Sequence, residues 1–489
     1  MIVQAAAVDY SSLFSITVPE TILEIVSLIV LVVDLGWLPK SAQSKRMAAA
    51  CTFGVLGCVC ALLWLVVHPT AAPLAGGALV ATPVVAAAQV GILVLTALVL
   101  LLSFETEFSR NPGEFVAIVL LATTGMLLVT AARDLLVIFV ALELLSLSLY
   151  VLTAFAKRSA QSAESALKYY LFGGMSAALM LFGFSYLYGL TGTTNLSLMP
   201  AALSGGTVPL AIVALVMVAA GLGFKVAAVP FHLWAPDTYQ GAPAPVTALI
   251  ASGSKVASFA LLVAVTEGVI ASNYSANGSA WIVVLLTMAL GSIVLGNLAA
   301  LAQTSVRRLL AYSAIAHAGY MLLGIAAHTA QSGAAVLYYV LTYALTTVGA
   351  FGVIGIVERS TGSDRFDAFA GLSRRNPLLA GTMLIFLLSL AGIPPLVGFW
   401  AKFNLFSAVL HAASAGQWGL VLVAVALGAS AISLYYYLQV LKRIYVAQPT
   451  QTEPLPVSLI ELATLLVIAL AVLALGLLPG ALSAWIPLG

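Results

Sequence analysis

Fourteen apolar runs, separated by short polar connections, fill most of this 489-residue chain. They lie near 13–35, 47–67, 83–104, 114–132, 135–156, 165–190, 208–231, 244–270, 280–300, 307–327, 333–357, 378–412, 416–446 and 456–484. About 20 apolar residues rising 1.5 Å each cross a bilayer. In hydrocarbon every backbone polar group must be satisfied within the protein, so spans of this length are helices. The expected fold is an all-α polytopic membrane protein with about fourteen transmembrane helices. Charged residues make up 7% of the chain, against about a quarter in soluble domains. That composition leaves no room for a soluble domain and makes nucleic acid a poor partner.

The start, MIVQAAAVDYSS, carries no cationic segment of the kind that opens a cleavable signal, so the first apolar run is expected to stay as a span. Cys51, Cys58 and Cys60 crowd into one apolar run. Three thiols are too few for an iron–sulfur cluster and form no CxxC pair, so they read as small buried apolar residues. No glycine-rich dinucleotide fingerprint and no Walker sequence occurs. Redox or nucleotide chemistry is therefore expected on other chains, with no cofactor and no metal held here.

Lys and Arg gather in alternate connections, as the positive-inside rule requires. Lys40, Lys45, Arg46, Arg110, Lys157, Arg158, Arg307, Arg308, Arg359, Arg365, Arg374, Arg375, Lys442 and Arg443 fall on one side, and Arg133 alone on the other. An even number of spans then places both termini on the outer, periplasmic side of a cell inner membrane.

Those residues account for 15 of the 19 cations. The four left over, Lys168, Lys225, Lys255 and Lys402, are all lysines inside apolar runs. A lysine at a helix centre costs roughly 2.5–3.5 kcal/mol on insertion scales. Arginine keeps its proton, whereas a buried lysine can exchange one near neutral pH, so the residue type favours proton handling over a fixed countercharge. Glu143, eight residues into the fifth run, is the best-placed carboxylate to set the charge state of a nearby lysine. Glu164 stands four residues before Lys168, the spacing of an intrahelical pair, and the two could neutralise each other near the membrane surface.

Prolines interrupt the same region. Pro230 cannot bond the Val226 carbonyl, next to Lys225, and Pro394 and Pro395 free the carbonyls of Leu390 and Ala391. Broken helices at membrane depth need protein or water to satisfy the freed groups. The seventh and twelfth spans are thus expected to be broken, and their separation by five implies two inverted five-helix repeats. The expected divisions are an N-terminal three-helix segment at 1–110, repeats at 111–272 and 273–446, and a last helix at 447–489. His232, seven residues after Lys225, is a candidate relay between Lys225 and Lys255. His317 reads as either a proton carrier or a packing residue; His68, His328 and His411 read as ordinary residues at helix ends. Asp237 reads as a turn-builder, and Arg307 and Arg308 as topology signals.

PFHLWAPDTYQGAPAPVTA at 230–248, ALKYYLFGGMSAALMLFG at 166–183, RRLLAYSAIAHAGY at 307–320 and LLSLAGIPPLVGFWAKF at 387–403, with Glu143, resemble the antiporter-like membrane subunits of respiratory complex I. The resemblance runs from about residue 110 to 445. It implies an assembly whose partner subunits carry flavin and iron–sulfur clusters, oxidise NADH and reduce quinone, while this chain moves protons through the lipid bilayer. It also implies neighbouring antiporter-like subunits. By the same resemblance Glu143, Lys225, Lys255 and Lys402 line a hydrated central axis, and Lys168 matches a charged position of the sixth span. Sister subunits usually differ at the positions of Lys402 or Lys255, carrying glutamate or histidine. Subunits of sodium/proton antiporter complexes share the fold and are the alternative.

Overall fold

The computed structural model describes residues 16–69, 72–74, 77–203, 209–269, 276–329, 331–412, 416–449 and 453–486. Both chain termini lie outside these residues, as do the edges of the expected spans at 13–15, 208 and 270. The helices are α1 (Val18–Val32, continued by a π turn Val33–Trp37), α2 (Gln43–Val67), α3 (Pro83–Leu101), α4 (Pro112–Ala131), α5 (Leu135–Thr153), α6 (Ala160–Thr191) and the short α7 (Met199–Leu203). Next come α8 (Pro209–Val226), α9 (Trp234–Gly241), α10 (Ala244–Ala251), α11 (Gly253–Val269), α12 (Ala276–Leu301), α13 (Val306–Ala327) and α14 (Ser332–Thr361). The last are α15 (Leu372–Arg375), α16 (Pro377–Ala391), α17 (Val397–Leu410), α18 (Gly416–Tyr445), α19 (Leu459–Leu477) and α20 (Pro479–Ser483). A three-residue antiparallel pair, β1 (Ala72–Leu74) with β2 (Leu79–Ala81), is the exception to the all-α expectation among the described residues.

Twelve helices among the described residues are long and apolar enough to cross a membrane, counting α10 and α11 as one. The fourteen expected are reached only by adding α1 with its π turn and the broken pair α16–α17. Local chemistry sets the helix ends. Thr82, Asp134, Ser159, Ser305 and Asn376 accept first-turn amides through their side chains. Gly192, Gly362 and Gly392 end α6, α14 and α16 with φ of 69°, 72° and 87°, left-handed values that favour glycine. The seventh and twelfth spans are broken as expected, into α8–α9 and α16–α17. The eighth is also interrupted, at Ser252 (φ −118°, ψ −90°), which sequence reading did not foresee. The Ser252 hydroxyl bonds back to the Ala248 carbonyl at 2.6 Å, a contact that bends helices.

Helices α10, α11 and α13 are buried along nearly their whole length and form the centre. Small residues allow close approach there, where packing rather than hydrophobicity drives association. A Cβ on Gly319 of α13 would stand 2.7 Å from the Ala289 carbonyl oxygen of α12, and one on Gly296 of α12 2.6 Å from the Ala316 nitrogen of α13. Cys51 and Cys58 are buried as expected, but Cys60 is exposed, because α2 presents that face outward.

Two loops repeat one hydrogen-bond pattern. After α6, Thr191–Asn195 returns to the start of α5: Leu135 donates to the Thr194 carbonyl at 2.9 Å, and Leu196 to the Arg133 carbonyl at 2.8 Å. After α14, Thr361–Arg365 returns to the start of α13: Val306 donates to the Asp364 carbonyl at 2.9 Å, and Phe366 to the Thr304 carbonyl at 3.0 Å. A hydroxyl–carboxylate bond locks each loop with the partners exchanged, Thr194 to Asp134 in the first and Ser305 to Asp364 in the second. Arg133 stands at the first loop and Arg307, Arg308 and Arg365 at the second.

Candidate functional site: a chain of buried lysines at two broken helices

Helix α8 ends at Val226 because Ala227 turns to φ 60° and Pro230 has no amide to continue the ladder. Lys225, in the last turn, is 7% exposed. Its ammonium donates to the Ser146 hydroxyl of α5 and faces the rings of Phe224 and Tyr150, 5.4 and 5.8 Å to their centres, within cation–π range. Glu143 lies three residues before Ser146 on the same helix. Its Oε1 is buried and has no hydrogen-bond partner among the described residues. Among the described residues Glu143 and Lys225 make no ion pair within 4.0 Å; the lysine bonds Ser146, one turn from Glu143.

Lys255, 1% exposed, reaches from α11 to two carbonyls. Its Nζ donates to Val226 at 3.3 Å and to Ala314 of α13 at 2.8 Å. The first is the carbonyl that Pro230 leaves without an amide. Tyr343 of α14 offers its ring 5.8 Å from the ammonium.

One turn beyond Ala314 stands His317, 3% exposed. Its Nδ1 lies 2.8 Å from the Tyr339 hydroxyl and its Nε2 3.4 Å from that of Tyr437. The imidazole packs 4.9 Å from the Tyr343 ring already touched by Lys255, and 5.8 Å from the ring of Tyr320. A cavity of about 10 Å³, bordered by His317, Thr346, Ser389 and Leu390 among others, is the size of a single water.

Lys402 completes the series from α17. It is 7% exposed and donates to the carbonyls of Leu390 at 3.1 Å and Ala391 at 2.8 Å, and to the Ser430 hydroxyl of α18 at 2.8 Å. Its ammonium lies 5.7 Å from the centre of the Tyr320 ring. The carbonyls freed by Pro394 and Pro395 thus go to a lysine, as does the one freed by Pro230. Lys225, Lys255, His317 and Lys402 form a buried file: the Lys255 ammonium bonds the carbonyl of Val226, next to Lys225 in the chain, Lys255 and His317 share the Tyr343 ring, and His317 and Lys402 share that of Tyr320.

Two expected members stand apart. His232 is buried, and its Nδ1 has no hydrogen-bond partner among the described residues; its ring bonds to neither lysine. Lys168 is 40% exposed at its side chain and pairs with Glu164 at 2.8 Å and Asp237 at 2.7 Å, so it belongs to an ionic cluster at the membrane edge. Asp237 is more than a turn-builder, since Arg308 reaches its other oxygen at 2.6 Å. Burial pushes the Asp237 carboxyl up, but the bonds from Lys168 and Arg308 outweigh it and hold the group below the ordinary carboxylate range. Arg307, read from sequence as a topology signal, is 2% exposed.

Tyr343, Tyr320, Ser146 and Ser430 were not singled out by sequence, and His317 was read as either a proton carrier or a packing residue. The signal for His317 was present, a lone imidazole amid the small residues of AYSAIAHAGY. No group of three or more His, Cys, Asp or Glu is placed to hold a metal among the described residues.

A family model described as NADH:quinone oxidoreductase/Mrp antiporter, TM, matches residues 132–433. NADH-quinone oxidoreductase subunit N 2 of Acidobacterium capsulatum is 49% identical over 98% of this chain and 99% of its own. A chain of respiratory complex I from Thermus thermophilus with bound aureothin superposes with a TM-score of 0.79 at 36% identity, covering 96% of this chain and 99% of that one. A chain of the Mrp complex from Dietzia sp. DQ12-45-1b superposes with a TM-score of 0.77 at 23% identity, covering 96% of each, a likeness of fold alone. On these matches the chain belongs to the NADH:quinone oxidoreductase/Mrp antiporter membrane family, as a subunit N of NADH-quinone oxidoreductase.

Proposed function

We propose that this chain is a proton-translocating membrane subunit of an NADH-quinone oxidoreductase, coupling electron transfer from NADH to quinone with proton movement across the cell inner membrane. The observation that carries the reading is the capture of proline-freed carbonyls by buried lysines at both broken helices. Each such lysine is held in place by neutral oxygens rather than by a carboxylate. A carboxylate partner would fix the ammonium; carbonyls and hydroxyls support it and still allow the proton to leave.

A proton from the cytoplasmic side rests on Lys225, whose charge is opposed by Glu143 one turn from Ser146. It passes to Lys255, then through His317 and the single-water space to Lys402, and leaves outward. An ammonium at one site repels a second at the next, so charge advances when a neighbour empties. Lys168 and His232 flank this file without lying in it. The chain itself carries out no redox step. Flavin and iron–sulfur clusters belong to partner subunits, and other antiporter-like subunits are its membrane neighbours.

The repeated loops support repeats at 111–272 and 273–446, with a three-helix segment before them and helix α19 after. Alternating charge supports termini on the periplasmic side. Sodium/proton exchange, the alternative reading, would favour several carboxylates at the site, and Glu143 is the one acidic residue beside the file among the described residues. The test is NADH-driven proton uptake by inside-out membrane vesicles whose complex carries Lys225→Ala. Loss of uptake in an assembled complex is expected, and full uptake would remove the reading.

A further inference from the structure

Helix α9 has eight residues between a broken helix and Pro243. So short a helix leaves most of its terminal groups without partners of its own. Arg307 answers its C-terminal end: Nη1 donates to the carbonyls of Tyr239, Gln240 and Ala242 at 3.4, 2.9 and 2.6 Å. The same guanidinium pairs through Nη2 with Glu358 of α14 at 2.6 Å. A cation here also complements the negative end of the helix dipole.

Asp237 holds the middle of α9 from two sides. One oxygen accepts Lys168 of α6 at 2.7 Å and the other Arg308 of α13 at 2.6 Å, and its backbone carbonyl accepts the Ser165 hydroxyl at 2.8 Å. A residue needed only to build a turn would bond locally. This carboxylate instead joins residues 69 and 71 positions away in the chain. Exposed ion pairs contribute little stability singly, which points to position rather than stability as its use.

The position concerned is that of Lys255. Its two acceptors are Val226, at the break that leads into α9, and Ala314 of α13, six residues beyond Arg308. The α8–α9 segment and α13 are therefore joined twice, by Lys255 at depth and by Asp237 with Arg308 at the membrane edge. We propose that Asp237 is a positioning residue for proton transfer through Lys255. Its clamp on Lys168 and Arg308 fixes the spacing of the Val226 and Ala314 carbonyls, and Lys168 serves as a fixed cation of that clamp. The proposal rests on the reading of Lys255 as a proton carrier.

The experiment uses membranes carrying the whole complex, with NADH-driven proton uptake and the amount of assembled complex measured together. Asp237→Asn is expected to slow uptake about tenfold or more by misplacing the acceptors, and Asp237→Glu to restore most of it. Lys168→Arg, which keeps the charge but cannot release a proton, is expected to retain most of the uptake. Full uptake in Asp237→Asn, or loss of uptake in Lys168→Arg with assembly normal, would overturn the proposal. If Asp237→Asn does not assemble, Lys168→Gln decides: partial loss, recovered in Lys168→Arg, supports the clamp, and equal loss in both overturns it. Lys255→Ala in the same membranes separates the two levels. Full uptake there removes the underlying reading, whereas loss there with full uptake in Asp237→Asn removes the clamp alone.

Discussion

The ammonium of Lys255 lies 3.3 Å from the carbonyl of Val226, the acceptor that Pro230 leaves open in the preceding span. Lys402 does the same for Leu390 and Ala391 behind Pro394 and Pro395. The two breaks are equivalent in chain order, yet one is filled from the next helix and the other from the second half of the same span.

Ser430→Ala removes one of three acceptors from Lys402 and leaves the two carbonyls. Proton uptake driven by NADH should fall by about two- to tenfold, since a hydrogen bond to a charged group contributes about 1.5–3 kcal/mol and the lysine can re-seat. Lys402→Ala should lose nearly all uptake in the same vesicles. Equal effects of the two substitutions would show that Ser430 does more than support the lysine.

His317 touches the Tyr343 ring shared with Lys255 and borders the space leading to the Leu390 carbonyl held by Lys402. His317→Phe keeps the volume and removes both nitrogens. Uptake should fall about a hundredfold, as for removal of a positioned proton-transfer group, while assembly stays normal. Unchanged uptake would make His317 a packing residue.

Gly319→Ala puts a methyl group 2.7–2.8 Å from backbone atoms of α12, where neither helix can yield cheaply. The expected cost is about 1–3 kcal/mol, the range for overpacking, read as earlier dissociation of the complex on graded heating. Gly381→Ala in α16, with nothing within 4 Å, should leave the heating curve unmoved.

Because Asp237 is held below the ordinary carboxylate range when folded, its ionised form contributes stability at neutral pH. The contribution is full above the unfolded carboxylate value, about pH 4, and fades as pH falls through the lower folded value. The difference in heat stability between the natural chain and Asp237→Asn should therefore be constant from neutral pH down to about pH 4 and shrink below it. A difference that instead vanished on raising the pH would contradict the assignment.

Much of the architecture was legible in the sequence because membrane folding is governed by length, polarity and backbone satisfaction. Hydropathy located the spans, and the missing amides of Pro230, Pro394 and Pro395 named in advance the carbonyls that the lysines take. What linear reasoning missed were partners far away in the chain. Lys168 reads as a membrane lysine that can pair with Glu164, which it does at 2.8 Å, but its second partner, Asp237, lies 69 residues on. Arg307 reads as a topology signal because the carbonyls it caps lie 65–68 residues earlier. The repeat was inferred from helix breaks alone, although Thr191–Asn195 and Thr361–Arg365 both begin Thr-Gly and share one bonding pattern. Exchange of hydroxyl and carboxylate between the two loops hid the likeness.

The most direct measurement is the number of protons taken up per NADH oxidised by inside-out vesicles carrying Lys255→Arg, with the assembled complex quantified. Arginine keeps the charge and can donate to the Val226 and Ala314 carbonyls, but does not release its proton. The expected result is an assembled complex whose proton uptake through this chain is lost. An unchanged proton-to-NADH ratio at an unchanged rate of quinone reduction would contradict a proton path through Lys255.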